Sequence, residues 1–169
     1  LLVVLFLILL NAFFALSEMS VVTSRKARLK QRAEDSRGAR KALELAEHPE
    51  RFLSTVQVGI TTIGILTGMF GGDAIGAAIG VWLAEHIPAV GKYAGTIGTV
   101  LAVGLITYLS IVLGELLPKR LALLAPERLA GIVALPMHTL SRIASPAVWL
   151  LSATVRGLLK LLRVDRTDS

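Results

Sequence analysis

Tyr93 to Gly114 is a run of 22 residues without a charge, and it has two companions. Phe52 to Gly72 gives 21 more, and Leu1 to Ser17 gives 17, with Glu18 alone before the uncharged stretch resumes to Ser24. About 20 mainly apolar residues are needed for a helix to cross the hydrocarbon core of a bilayer. No water reaches the backbone there, so each run must close its own hydrogen bonds as a helix. The pattern predicts an all-α membrane protein with three transmembrane helices, at about 1–24, 52–72 and 93–115. A mean hydropathy of +0.69 fits this solvent better than water. The first run is not read as a signal peptide, because it lacks a basic leader and carries Asn11 and Glu18 in place of a small-residue cleavage site.

The rest of the hydrophobic material is cut more finely. Between Leu129 and Val164, five basic or histidine side chains and two prolines interrupt it, and its longest uncharged run is Ile143 to Val155, 13 residues. That length suits helices lying in the head-group plane, a belt at about 127–163. A fourth crossing is the competing reading. Charge supplies orientation. Nine Lys/Arg lie in 25–51, one in 73–92 and eight from Lys119 onward. The positive-inside bias then places the 25–51 loop and the C-terminus in the cytoplasm, and the N-terminus and the 73–92 loop outside. Three crossings agree with those ends. The chain is thus expected in the cell membrane as a multi-pass protein.

The 25–51 loop reads as a helical hairpin on the membrane surface, broken at Gly38. A divalent-cation site from Glu44, Glu47 and Glu50 on one helix is the alternative. The outer loop, rich in Gly and Ala, is expected to hold a short helix over Ala74–Ala84 dipping into the outer leaflet. Gly72, Gly76 and Gly80 repeat every four residues, the spacing that lets helix backbones approach. With no cysteine, no disulfide or thiolate metal site can form. Aromatics at 5% give no stacking surface for nucleic acid. The net charge of +6 points instead to anionic lipid head groups. No nucleophile–base pair or phosphate loop suggests an enzyme.

Polar groups at membrane depth are costly and tend to mark function. Asn11 and Glu18 share one face of the first helix, with Ser17, Ser20 and Ser24 beside them. Gln57, Thr61 and Gly64 align on the second, with Thr62 alongside; Thr107, Ser110, Gly114 and Glu115 lie on the third. Every candidate ligand is an oxygen, the chemistry of hard cations. Pro118 cannot donate to the carbonyl of Gly114, which leaves that oxygen with free lone pairs beside the Glu115 carboxylate. The bland readings are that hydroxyls bond back to the preceding turn, that Glu18 reaches the interface near Arg25, and that Glu115 pairs with Lys119.

Asn11 to Ser20 (NAFFALSEMS), Gln57 to Gly64 (QVGITTIG) and Gly114 to Lys119 (GELLPK) resemble the transmembrane domain of the CorC/CNNM (cyclin M) magnesium transporters, over essentially the whole chain. The resemblance implies a homodimer with three transmembrane helices per protomer and cytoplasmic juxtamembrane belt helices. It implies export of Mg²⁺, the substrate ion, in exchange for Na⁺ by alternating access. By position it points to Ser17, Ser20, Thr61, Gly114 and Glu115 as ion ligands. Glu18 stands where eukaryotic relatives have Asn. Full-length members carry a cytoplasmic CBS-pair domain that binds ATP-Mg; nothing after Val164 looks like one, so no nucleotide regulation is expected of this chain. The alternative function is a non-transporting membrane anchor or sensor for such a domain.

Overall fold

The computed structural model describes residues 2–162, and among them every regular element is a helix. In chain order they are α1 (Leu2–Thr23), α2 (Lys26–Ala33), α3 (Arg37–Glu47), α4 (Pro49–His86), a 3₁₀ turn (Pro88–Tyr93), α5 (Ala94–Ile111), a π-helical turn (Val112–Leu116), α6 (Leu117–Leu124), α7 (Pro126–Ile143) and α8 (Ser145–Leu161). The segments Leu2–Thr23, Pro49–His86 and Pro88–Leu124 are long and apolar enough to span a membrane. Neither α7 nor α8 meets that standard among the described residues, so three candidate spans stand and a fourth does not.

The second span departs from the sequence expectation. α4 is one helix of 38 residues, about 57 Å long at ~1.5 Å per residue. It runs through Gly71-Gly72 and Asp73 without a break, so most of the expected outer loop is helix. The glycine series explains this. Glycine is a poor helix former in water, but here Gly76 and Gly80 are buried against α5. A β-carbon on Gly98 would lie 2.6 Å from both the Gly76 carbonyl oxygen and the Gly80 nitrogen. Only bare backbone allows this approach, and van der Waals contact along it is what holds helices together in lipid. The reversal into α5 uses Gly91, whose φ of 47° is a conformation that L side chains rarely adopt.

The remaining helices gather where α1 ends and α4 begins. α7 packs on α3 and α1. Its Ala130, Val133, Ala134 and Met137 are buried with Leu7, Phe14 and Val21 of α1, spaced by sevens, and with Phe52, Val56 and Ile63 of α4. Gly38 is no helix break. It lies in the first turn of α3, where a side chain would strike the Gly131 carbonyl of α7. The hairpin instead turns at 34–36, and Ser36 caps α3 by accepting from the Ala39 N–H at 3.2 Å. Glu44 and Glu47 sit on α3 and Glu50 on α4. All three are exposed, and Glu44 pairs with Lys41 at 3.3 Å. They do not form the cation site that one shared helix would have allowed.

Candidate functional site

Pro118 determines the local structure of the third span. It lacks an N–H, so the α-ladder loses a donor there. The chain widens into a π-turn over Val112–Leu116, immediately before α6. Such turns are rare and concentrate at functional sites, because they free backbone carbonyls and re-aim side chains. Gly114 is buried at its centre. It faces α1 closely, and a β-carbon there would meet Asn11 Nδ2 at 3.0 Å and the Ile8 carbonyl oxygen at 3.6 Å.

The Gly114 carbonyl is not free, contrary to the sequence expectation. Asn11 Nδ2 donates to it at 3.0 Å across 103 residues of sequence, within the protein interior. A carbonyl oxygen has two lone pairs, so one acceptor direction remains. The next residue, Glu115, is half-buried and makes no ion pair among the described residues. The expected Glu115–Lys119 pair is therefore not formed. Glu115 thus follows, in the same π-turn, the carbonyl that Asn11 ties to the first span.

The other predicted residues lie elsewhere. Ser17 and Ser20 are fully buried in α1, about 9 and 14 Å along the axis from Asn11. Their hydroxyls donate back to Phe13 O at 2.7 Å and Ser17 O at 3.2 Å, as the bland reading held. Glu18 is half-buried. Thr61 is exposed on α4. Beyond it, Gly64, Thr67 and Gly68 of α4 face Thr107 and Ser110 of α5 across a groove of about 220 Å³. Ser110 lies one turn before Gly114 in sequence. Among the described residues no three His, Asp or Glu side chains cluster closely enough to hold a metal by themselves. Any cation here must rely on carbonyls, amides and hydroxyls beside one carboxylate. Asn11 is the site residue that the ligand set left out. The signal was present in an amide donor inside one apolar run and an orphaned acceptor inside another.

A second carboxylate acts outside the spans. Glu127, in the first turn of α7, is only 7% exposed and accepts the Arg25 backbone N–H at 3.1 Å. Burial alone would raise its pKa. The N–H groups of Arg25 and of Glu127 itself, with the charges of Arg28 and Arg25, outweigh burial and hold it below its ordinary 4.5. It ties the end of α1 to the belt.

The sequence matches the family described as "Cyclin M transmembrane N-terminal domain" over residues 2–169. The chain belongs to that family. This cyclin M domain is 44% identical over 164 residues to the UPF0053 protein sll0260 of Synechocystis, covering 96% of this chain and 36% of that one. It is 33% identical over 161 residues to the UPF0053 protein YhdP of Bacillus subtilis, covering 94% and 36%. It is 30% identical over 159 residues to a protein of Salmonella typhimurium named "Polyamine export protein", covering 94% and 35%. The domain thus spans about a third of the length of these relatives. Together with the three candidate spans, the match makes it part of a multi-pass membrane protein.

Proposed function

We propose that this domain carries a cation across the membrane, with Mg²⁺ exported in exchange for Na⁺, and that the junction of α1 with the π-turn is where the ion is held. The observation that supports this reading is the Asn11–Gly114 bond beside the unpaired Glu115. The Asn11 amide N–H donates to the carbonyl that Pro118 deprives of its helical donor. An arriving cation displaces that N–H, takes the Gly114 oxygen and the Glu115 carboxylate, and draws the Asn11 side-chain oxygen toward itself. Retained waters complete the shell, as Mg²⁺ prefers. Ser17, Glu18 and Ser20 then line the cytoplasmic approach along α1, and Thr61 the α4 side. Exchange of one amide for one cation at a π-turn gives two discrete states, which alternating access requires.

The full reading includes a homodimer with its N-terminus outside and its C-terminus in the cytoplasm. These 169 residues contain no cysteine, so single substitutions such as Ser36→Cys and Ala89→Cys in this domain can be labelled from either side with an impermeant maleimide. Labelling of Ala89→Cys from outside and of Ser36→Cys only after permeabilisation is expected.

A second reading has a specific observation behind it. A relative at 30% identity is named for polyamine export, and a linear polycation could use the same carboxylate. Proteoliposomes loaded with a Mg²⁺ indicator or with labelled spermidine separate the two. Mg²⁺ flux that depends on a Na⁺ gradient and falls at least about tenfold in Glu115→Gln is expected, since one charge-assisted contact is worth that much. Spermidine flux without Mg²⁺ flux would install the polyamine reading. Flux of neither would leave a membrane anchor or sensor.

A further inference from the structure

A groove of about 310 Å³ separates the first turns of α4 from α8, well away from the α1–π-turn site. Its walls hold Arg51 and Ser54 from α4, and Ser145, Trp149, Ser152 and Arg156 from α8. The four α8 residues follow one another at spacings of four, three and four, so they form a single stripe on that helix. The stripe faces α4. The flank of α8 that carries Leu151, Val155 and Leu159 is exposed and covered by no other part of the chain among the described residues. An interfacial helix normally turns its polar side to water. This one turns its polar side partly into a groove, and beside that groove lies an apolar surface that demands lipid.

The contents of the groove narrow the ligand. Two guanidinium groups meet one carboxylate, Glu50, so the groove is net positive. Neither arginine is in an ion pair among the described residues, where the ion pair formed is Lys41–Glu44. Arg51 donates from Nη2 to the Ser145 hydroxyl, which holds its fork over the groove. The hydroxyls of Ser54 and Ser152 add further donors. Planar forks and hydroxyls are the chemistry that recognises phosphate oxygens. Trp149 is 67% exposed at the rim, where an indole sits favourably between head groups and acyl chains. Basic pockets among helices at the membrane surface take anionic head groups.

We propose that the α4–α8 groove is the head-group site of an anionic phospholipid. Its phosphate is held by Arg51, Arg156 and the serine hydroxyls, and its acyl chains lie along the Leu151–Val155–Leu159 flank. Because α8 meets α4 beside Thr55, which bonds to Ser141 of α7, such a lipid fastens the belt to the second span.

The test is lipid binding to the complete chain, measured by native mass spectrometry from detergent with titrated phosphatidylglycerol or phosphatidylcholine. The wild type is expected to retain phosphatidylglycerol in preference. R51Q/R156Q is expected to weaken that binding about tenfold or more, because two charge-assisted contacts are lost. R32Q/R128Q removes the same charge from α2 and α7 and is expected to change it less than about twofold, as screened surface charge would. S152L, which fills the groove without touching charge, should match the first variant. Equal losses in both arginine pairs would show a diffuse charge effect and overturn the site. So would the absence of any preference for phosphatidylglycerol. Displacement of the lipid by millimolar glycerol 3-phosphate would reassign the groove to a soluble phosphate compound and overturn the lipid. None of these readouts involves transport, so they succeed or fail independently of the proposed cation path.

Discussion

The first and third spans are about equally apolar, yet they are treated differently by the fold. In its most apolar window α1 is 39% buried, whereas the third is 17% buried. α1 packs on α4, α6, α7 and the π-turn and presents large side chains such as Leu7, Phe14 and Val21 to the core, while Phe6 and Leu9 stay exposed. α5 meets α4 along a seam of glycines and small residues, and leaves Leu101, Val103 and Tyr108 bare. In lipid, apolar character does not decide which helix lies inside, because acyl chains and leucines are equivalent solvents. What decides is shape and the position of the few polar groups. α1 is held by side-chain interlock and the hydrogen bond that the Asn11 amide donates to Gly114; the α4–α5 hairpin is held by the absence of side chains.

That contrast can be broken most severely at the seam. Gly98→Val places carbon atoms into the backbone of Gly76 and Gly80 and is expected to cost about 3 kcal/mol or more, since backbone cannot yield as a side chain does. Loss of the monodisperse peak in size-exclusion chromatography would register it. Gly104→Ala, where nothing lies within 4 Å, should leave the profile unchanged. If both behave alike, the seam is not what holds the hairpin.

The next largest effect belongs to α1. Asn11→Leu removes the donor to Gly114 and is expected to cost about 1–3 kcal/mol, the penalty for stranding a buried acceptor. A lowered melting temperature in detergent would report it. An unchanged one would mean that the π-turn needs no tie to α1, and would weaken the cation site with it.

Glu127 sharpens the boundary between spans and belt. Its carboxyl is held below 4.5 in the folded protein. It therefore contributes stability that is fully present above the unfolded pKa and is lost as pH falls through the folded value. The wild type should lose more melting temperature than Glu127→Ala as pH drops below 4.5, with a difference of about 1 kcal/mol at neutral pH from the lost bond to Arg25. Parallel curves for the two proteins would remove Glu127 from the linkage.

The smallest expected effect is at Thr61. It is exposed on α4, so Thr61→Val should change stability by less than about 0.5 kcal/mol. A fall in cation flux at unchanged stability would support its proposed place beside the path; unchanged flux would remove it from the path.

Three crossings and a separate belt were legible because length, charge and apolar runs are properties of the chain read in order. A bilayer imposes a fixed thickness and forbids unpaired backbone, so counting residues was enough. The back-bonded Ser17 and Ser20 were legible for a similar reason, since their partners lie within one turn. The helix over 74–84 was legible, but its fusion with the second span through Gly71-Gly72 and Asp73 was not, because glycine is intrinsically a poor helix former and the continuous helix rests on close packing of Gly76 and Gly80 against α5. Nor was the partner of Gly114. Pro118 announced an orphaned carbonyl, but its donor was 103 positions away, and only the crossing of two helices selects among distant polar groups. Sequence determined which segments must leave water; tertiary packing decided which of their few polar atoms would meet, because that depends on helix rotation and close approach, which no local pattern encodes.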